Sequence, residues 1–118
     1  MLNLGDGRRY FLYRQRTDMR KGFDGLSGLV RSELGKNPLS GDVFIFLNRY
    51  RHQVKLLLWE RDGFSIYSKR LEKGSYELPL LSTADTIELT SGQLMLILEG
   101  ISLESVRWRK RYHSGENS

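Results

Sequence analysis

Apolar side chains near the start of the chain change their spacing from that of a strand to that of a helix. Residues Arg9–Arg14 read RYFLYR, an aromatic-rich run with strand propensity. Over Met19–Leu34 the apolar residues recur three or four positions apart, which predicts an amphipathic helix. We expect Thr17 or Asp18 to be its N-cap and Gly35 to end it. Three glycines inside this pattern weaken the helix, so packing must hold it.

Three strands with short connections follow in the central part of the chain. The continuous apolar run Val43–Leu47 predicts a buried strand, and Val54–Trp59 and Phe64–Ser68 predict the next two. The dipeptide Asp62–Gly63, between the last two strands, is a strong hairpin signal. We therefore predict an antiparallel meander for this part of the chain.

The remaining elements complete the predicted fold. Short strands at Tyr76–Pro79 and Ile87–Leu89 would extend the sheet to five strands at most. Thr90 or Ser91 caps a second helix, which Gly100 ends. Because strands and helices do not alternate regularly, we predict an α+β fold, with an antiparallel three- to five-stranded meander sheet and two helices packed on it.

The composition limits the class of protein. The chain has 118 residues, no Cys and a net charge of +5, from 19 Lys and Arg against 14 Asp and Glu. This length fits one domain, so we assign residues 1–105 to a single domain and residues 106–118 to a basic, flexible tail. No segment approaches the roughly 20 apolar residues that span a bilayer, and we expect a cytoplasmic protein. The positive charge, with Arg more frequent than Lys, favours polyanionic partners.

Candidate catalytic groups are few, and each has a structural explanation. The carboxylates weighed as ligands of a two-metal nuclease fall in turns, at strand ends or at a helix cap. They are Asp18, Asp24, Asp42, Glu60 and Asp62. His52 and His113 have no partner at metal-ligand spacing, and phosphate-loop and nucleophile-elbow motifs are absent from the sequence. We therefore expect no catalytic residue, metal or cofactor, with a magnesium- or manganese-dependent nuclease as a remote alternative.

The placement of basic and aromatic residues is the strongest functional signal. Cations lie on the predicted meander and its turns with aromatic residues between them, a pattern that can hold a phosphate backbone and stack bases. A second group precedes the first helix, and a third surrounds Trp108 in the tail. As candidate nucleic-acid-binding residues we select Arg20, Lys21, Arg49, Tyr50, Arg51, Lys55, Arg61, Lys69 and Arg70. One sheet face must be buried, however, so strand aromatics are equally expected in the core.

Several segments, in the same order along the chain, are similar to a known protein family. They include TDMRKGFDGL at Thr17–Leu26, VKLLLWERDG at Val54–Gly63 and LTSGQLMLILEG at Leu89–Gly100. On these motifs residues 2–103 resemble TnpB, the accessory protein of bacterial insertion sequences of the IS66 family, which is unrelated to the RNA-guided nuclease of the same name. The resemblance implies a small protein that is encoded beside a separate DDE-type transposase and is needed for transposition. It brings no established active-site residues.

Two functions stay open at this point. The first is a non-catalytic accessory factor that binds the DNA of the element ends through the candidate residues, with Tyr50 stacking on a base and with an affinity that falls steeply as salt rises. The alternative is a protein–protein adaptor that binds or activates the transposase without direct DNA contact. Arg20 and Lys21 would then pair with acidic groups of the partner, beside an exposed apolar patch near the first helix.

Overall fold

One five-stranded sheet with a helix on each face makes up the described part of the chain. The computed structural model describes residues 7–78 and 83–99. The strands are β1 (Tyr10–Arg16), β2 (Val43–Leu47), β3 (Gln53–Glu60), β4 (Gly63–Arg70) and β5 (Thr86–Leu89), and the helices are α1 (Phe23–Ser32) and α2 (Ser91–Leu98). In space the strands follow the order β4-β3-β2-β1-β5. The α+β class expected from the sequence is confirmed.

The sheet is mixed, which corrects the expectation of a purely antiparallel meander. β1 and β2 run parallel, whereas the pairs β2–β3, β3–β4 and β1–β5 are antiparallel. Parallel neighbours need a crossover connection, and the segment between β1 and β2 contains α1. Alternation of apolar residues reports which side chains are buried but carries no information on strand direction, so the sequence of β1 is compatible with either pairing.

Two apolar clusters, one on each face of the sheet, form the core. The alternation along β2 shows the division, because Ile45 belongs to the cluster under α2 and Phe44 to the cluster under α1. Every residue of β2 is buried, since this strand lies in the middle of the sheet between two covered faces. Leu26 of α1 and Leu94 of α2 are both fully buried against the respective clusters.

The start of α1 differs from the prediction. Gly22 is its N-cap, and no side chain caps the helix, so neither Thr17 nor Asp18 has that role. Asp18 instead closes a turn before the helix: its Oδ1 accepts a hydrogen bond from the backbone N–H of Arg20 at 2.9 Å, and its carbonyl oxygen accepts one from Lys21 at 3.1 Å. Asp side chains readily form such local turns, and a carboxylate that closes a turn is not available to cap the helix.

The second half of the chain follows the sequence more closely. Of the two residues predicted as the cap of α2, Thr90 is the one that caps it, in a capping box whose other member is Gln93. No strand forms over residues 76–78, although Tyr76 is fully buried among the side chains under α2. Pro79, Gly100, the proposed domain boundary at residue 105 and the basic tail with its arginines around Trp108 lie outside the described residues.

Candidate nucleic-acid interface

Three segments of the chain meet at one end of the sheet. β1 and β2 both finish at this end because they are parallel, at Arg16 and Leu47. The antiparallel β3 begins here, and β4 returns to it at Arg70. We define the basic end as residues 16–22, 47–55 and 69–76. Three backbone hydrogen bonds join its segments, Thr17 N to Leu47 O at 2.8 Å, Leu71 N to His52 O at 2.7 Å and Tyr76 N to Arg51 O at 2.6 Å.

The loop between β2 and β3 presents Arg49 and Tyr50 at its tip. The side-chain oxygen of Asn48 accepts hydrogen bonds from the backbone N–H groups of His52 and Gln53, both at 3.0 Å. The Asn48 carbonyl accepts a third bond, from Arg51 N at 3.0 Å, and Arg51 takes a positive φ of 58° to complete the loop. These bonds fix the loop backbone and direct the side chains at its tip away from the sheet.

The tip carries an aromatic ring and a guanidinium group in contact. Tyr50 is 69% exposed, the most exposed of the large apolar side chains that the structure describes. The guanidinium carbon of Arg49 lies 5.3 Å from the centre of its ring, within the range of a cation–π contact. Arg49 and Arg51 are themselves exposed. The loop therefore combines positive charge with an accessible aromatic face.

The turn before α1 supplies Arg20 and Lys21. The Arg20 side chain is 91% exposed and forms an ion pair with Asp18, with Nη2 2.7 Å from Oδ2. The side-chain hydrogen bond from Arg20 lowers the pKa of Asp18 to about 2, and the backbone bond from the same residue adds to the effect. Lys55 of β3 supports this turn from the sheet, because its Nζ donates to the carbonyl oxygens of Met19 at 2.7 Å and Lys21 at 3.0 Å.

Lys69 and Arg70 end β4 on opposite faces of the sheet. Lys69 is on the face under α2, and its Nζ donates to the carbonyl oxygen of Leu98, the last residue of that helix, at 3.4 Å. A cation at this position also complements the helix dipole. Arg70 is exposed on the other face, opposite Gln53 in the register.

Arg61 lies far from the other candidates. It occupies the turn between β3 and β4, with a positive φ of 57°, at the end of the sheet opposite the basic end. The eight residues of β3 separate it from the loop of Tyr50, which at about 3.3 Å per residue is roughly 26 Å. The structure thus brings together all the selected residues except Arg61.

Two other arginines at this far end have partners within the fold. Arg9 forms two hydrogen bonds with the carboxylate of Asp42, at 3.1 and 3.0 Å, and Arg8 donates to the carbonyl oxygen of Gly41 at 2.7 Å. At the basic end, by contrast, no carboxylate among residues 7–78 and 83–99 forms an ion pair with Arg49, Arg51 or Arg70. The three segments of the basic end hold nine Lys or Arg residues against two Asp or Glu residues, so the positive charge of the described chain concentrates there.

A pocket of about 450 Å³ also lies at the far end, and it is separate from the candidate residues. Its walls include Arg8, Arg9, Glu88 and Thr90, and none of the nine selected residues contributes to it. Within the described ranges no group of three or more His, Asp or Glu side chains is placed to hold a metal ion. No described helix has the length and apolar character needed to cross a membrane.

Two residues at or beside the basic end were not selected from the sequence. Asn48 shapes the loop that carries Tyr50, and its position directly before a tight connection is a signal that could have identified it. Phe23, the first residue of α1, is 49% exposed although it belongs to the apolar pattern of the helix. Its exposure has no sequence signal, since it depends on where the helix starts.

Comparison with known proteins identifies the family. The family model described as IS66 Orf2 like protein matches residues 8–108. Among curated proteins, the uncharacterized protein y4hO of Sinorhizobium fredii is 33% identical over 101 residues, which cover 86% of this chain and 87% of that protein. The uncharacterized protein y4jC of the same organism is 26% identical over 107 residues, 91% of each chain. No solved structure gives a significant match. The chain therefore belongs to the IS66 Orf2-like family, the TnpB accessory proteins of IS66 insertion sequences.

Proposed function

We propose that this protein serves transposition by binding the DNA of the element ends through its basic end, without catalysing a reaction. The observation that carries the proposal is the gathering of Arg49, Arg51 and Arg70, none paired with a described carboxylate, beside the exposed Arg20. These residues are far apart in sequence, and the mixed sheet brings them to the same end.

Arginine suits this role physically. Its planar guanidinium donates two parallel hydrogen bonds to a phosphate, and it stays charged at any physiological pH. Each phosphate neutralised on duplex DNA releases condensed counterions, so each contact contributes about 0.9 to the slope of log affinity against log salt. A surface with several such arginines gives binding that is strong at low salt and falls steeply as salt rises.

The candidates do not all have the same role in this proposal. We assign phosphate contact to Arg20, Lys21, Arg49, Arg51 and Arg70. Lys69 contributes less to this contact, because its Nζ donates to a carbonyl oxygen of α2. Lys55 is a positioning residue, since its ammonium group already serves two backbone carbonyls. Arg61 is left out of the interface because it lies at the far end of the sheet.

The far-end position of Arg61 provides a matched control for the test. Arg51 and Arg61 are both exposed, both lie in turns at the ends of β3 and both have a φ close to 58°. Asn tolerates this left-handed conformation, so Arg51→Asn and Arg61→Asn each remove one charge with the same backbone consequence. Any difference between the two variants in DNA affinity is therefore due to the position of the removed arginine and not to the net charge of the protein.

The experiment is fluorescence anisotropy of a labelled element-end duplex over a salt series. We expect Arg51→Asn to weaken binding several-fold and to reduce the salt slope by about 1, whereas Arg61→Asn leaves both unchanged. Equal effects of the two variants would show that DNA affinity depends on the net charge of the protein and not on where the arginine lies. Binding that is absent for the unaltered protein would overturn the proposal.

The exposed Phe23 favours a second candidate, an adaptor that binds the transposase. An aromatic side chain left half exposed at the start of a helix, next to Arg20 and Lys21, is a suitable anchor for a protein partner. This function predicts negligible DNA affinity of the protein alone and co-purification with the transposase. Phe23→Ala should abolish that co-purification, and Arg61→Asn should leave it intact.

A further inference from the structure

We propose that Tyr50 and Arg49 form a stacking site for an unpaired DNA base, so that the basic end binds a single-stranded or frayed segment in preference to a closed duplex. This inference rests on the proposed DNA binding and adds to it the structural state of the DNA. Its basis is the loop between β2 and β3, where an exposed aromatic ring lies in contact with a guanidinium group.

Tyr50 is the most exposed of the five tyrosines that the structure describes, and Tyr67 of β4 follows it at 39%. Tyr10, Tyr13 and Tyr76 are buried in the two core clusters, where their rings contribute to stability. Tyr50 belongs to neither cluster and is 69% exposed at the tip of a loop. Its ring therefore contributes little to the core, while it exposes an aromatic surface on the most positively charged part of the described molecule.

The loop backbone is already fixed before any ligand arrives. Asn48 holds it through three hydrogen bonds to the backbone, and Tyr76, whose side chain is buried in the core, donates its backbone N–H to Arg51 O. A base that stacks on Tyr50 therefore meets a ring whose backbone needs no further ordering. Such preorganisation leaves more of the stacking energy available for affinity.

Arg49 determines which face of the ring is free. Its guanidinium lies against one face, 5.3 Å from the ring centre, and the high exposure of Tyr50 leaves the other face accessible to a base. The same guanidinium places a positive charge beside the ring, which attracts the phosphates of a bound strand. Aromatic rings next to cations in this manner are the recurring means by which proteins bind single strands without sequence preference.

An unpaired base fits this site, and a base within a closed duplex does not. The faces of paired bases are covered by their neighbours in the stack, so a ring on a protein loop reaches them only after the base is extruded. Bases of a single strand or a frayed end offer their faces directly, at a lower energetic cost. The preference should therefore appear as tighter binding to DNA with an unpaired extension than to the same duplex with blunt ends.

The test compares three DNAs of matched sequence, a blunt duplex, the duplex with a single-stranded extension and the single strand alone. We expect Tyr50→Ala to weaken binding to the two DNAs with unpaired bases by about ten-fold and to leave the blunt duplex within about two-fold. Tyr50→Phe and Tyr50→Trp should retain the preference because they keep an aromatic face. Arg51→Asn should weaken binding to all three DNAs alike, through the lost phosphate contact.

A second measurement reports stacking directly. The fluorescence of 2-aminopurine placed in the unpaired extension should fall when the unaltered protein binds, and this quenching should be lost with Tyr50→Ala. Circular dichroism of each variant confirms that the exposed substitution leaves the fold intact.

The outcomes separate the two proposals. If Arg51→Asn weakens binding but Tyr50→Ala affects the three DNAs equally and leaves the quenching unchanged, the stacking site is wrong and the basic end still binds DNA. If none of the DNAs is bound by the unaltered protein, both proposals are overturned.

Discussion

The ammonium nitrogen of Lys55 lies 2.7 Å from the carbonyl oxygen of Met19 and thereby joins β3 to the turn that precedes α1. The same nitrogen is 3.0 Å from the carbonyl oxygen of Lys21. Two residues whose carbonyls are held in this way flank Arg20, so Lys55 fixes the backbone on either side of a predicted phosphate contact. From the sequence we assign Lys55 itself to phosphate binding. In the structure its ammonium group donates instead to two backbone carbonyl groups of the same chain.

Removal of this ammonium group should destabilise the fold. We expect Lys55→Met to lower the free energy of unfolding by about 2 kcal/mol, because two half-buried carbonyl groups lose a charged donor. Urea denaturation measures the loss, and amide hydrogen exchange should be faster at residues 19–22. Lys69→Met is the matched control on the neighbouring strand. Its single bond of 3.4 Å from an exposed side chain predicts a change below about 0.5 kcal/mol, and equal losses in the two variants would contradict the role of Lys55.

The loop that carries Tyr50 should depend on the side chain of Asn48. Asn48→Ala leaves the backbone N–H groups of His52 and Gln53 without their acceptor, and we expect a loss of about 1–2 kcal/mol in unfolding free energy. Asn48→Asp keeps an oxygen acceptor at this position and should recover most of that loss. Thermal denaturation compares the two variants. The expectation fails if Asn48→Asp is as unstable as Asn48→Ala.

The fold class and most elements could be predicted because their signals are local. The alternation of Phe44 and Ile45, the turn at Asp62–Gly63 and the cap at Thr90 each depend on residues close in sequence. The parallel pairing of β1 with β2 could not be predicted, because strand direction depends on how the connection between them crosses the sheet.

The spatial grouping of the selected residues could be predicted only in part. Basic residues could be selected by type, and all but Arg61 reach one end of the sheet because of the strand directions. The roles of single cations could not be derived in advance. Lys55 resembles its neighbours in sequence, and only the path of the turn over Met19 places carbonyl oxygens against its ammonium group.

Two glycines of α1 should respond in opposite ways to substitution by Ala. Gly28 faces open space, and Gly28→Ala should stabilise the protein by about 0.5–1 kcal/mol through helix propensity. At Gly25 a Cβ atom would lie 3.0 Å from both Cβ and Cγ of Lys21, so Lys21 must move by a few tenths of an ångström to admit it. We expect Gly25→Ala to gain nothing or to destabilise, as measured by chemical denaturation. Equal stabilisation by both substitutions would mean that Lys21 does not pack closely on α1.

The ion pair of Asp18 with Arg20 should be visible in the acid titration of the protein. The folded-state pKa of Asp18 is about 2, below its ordinary value of 3.8, chiefly because Arg20 donates to the carboxylate from its side chain. A lowered pKa means that the pair's contribution to stability is fully present above about pH 4 and is lost as the pH falls through about 2. The contribution should shrink with added salt, since both side chains are accessible to solvent.

An NMR titration of the Asp18 carboxyl carbon measures this pKa directly. Arg20→Met should raise the midpoint toward 3.8 without reaching it, because the backbone N–H of residue 20 still donates to the carboxylate. Arg31→Met removes the same charge from the last turn of α1 and should leave the midpoint of Asp18 unchanged. A midpoint that stays near 2 in Arg20→Met would show that the backbone bond alone is responsible. Arg20 would then be free of Asp18 and fully available to a phosphate.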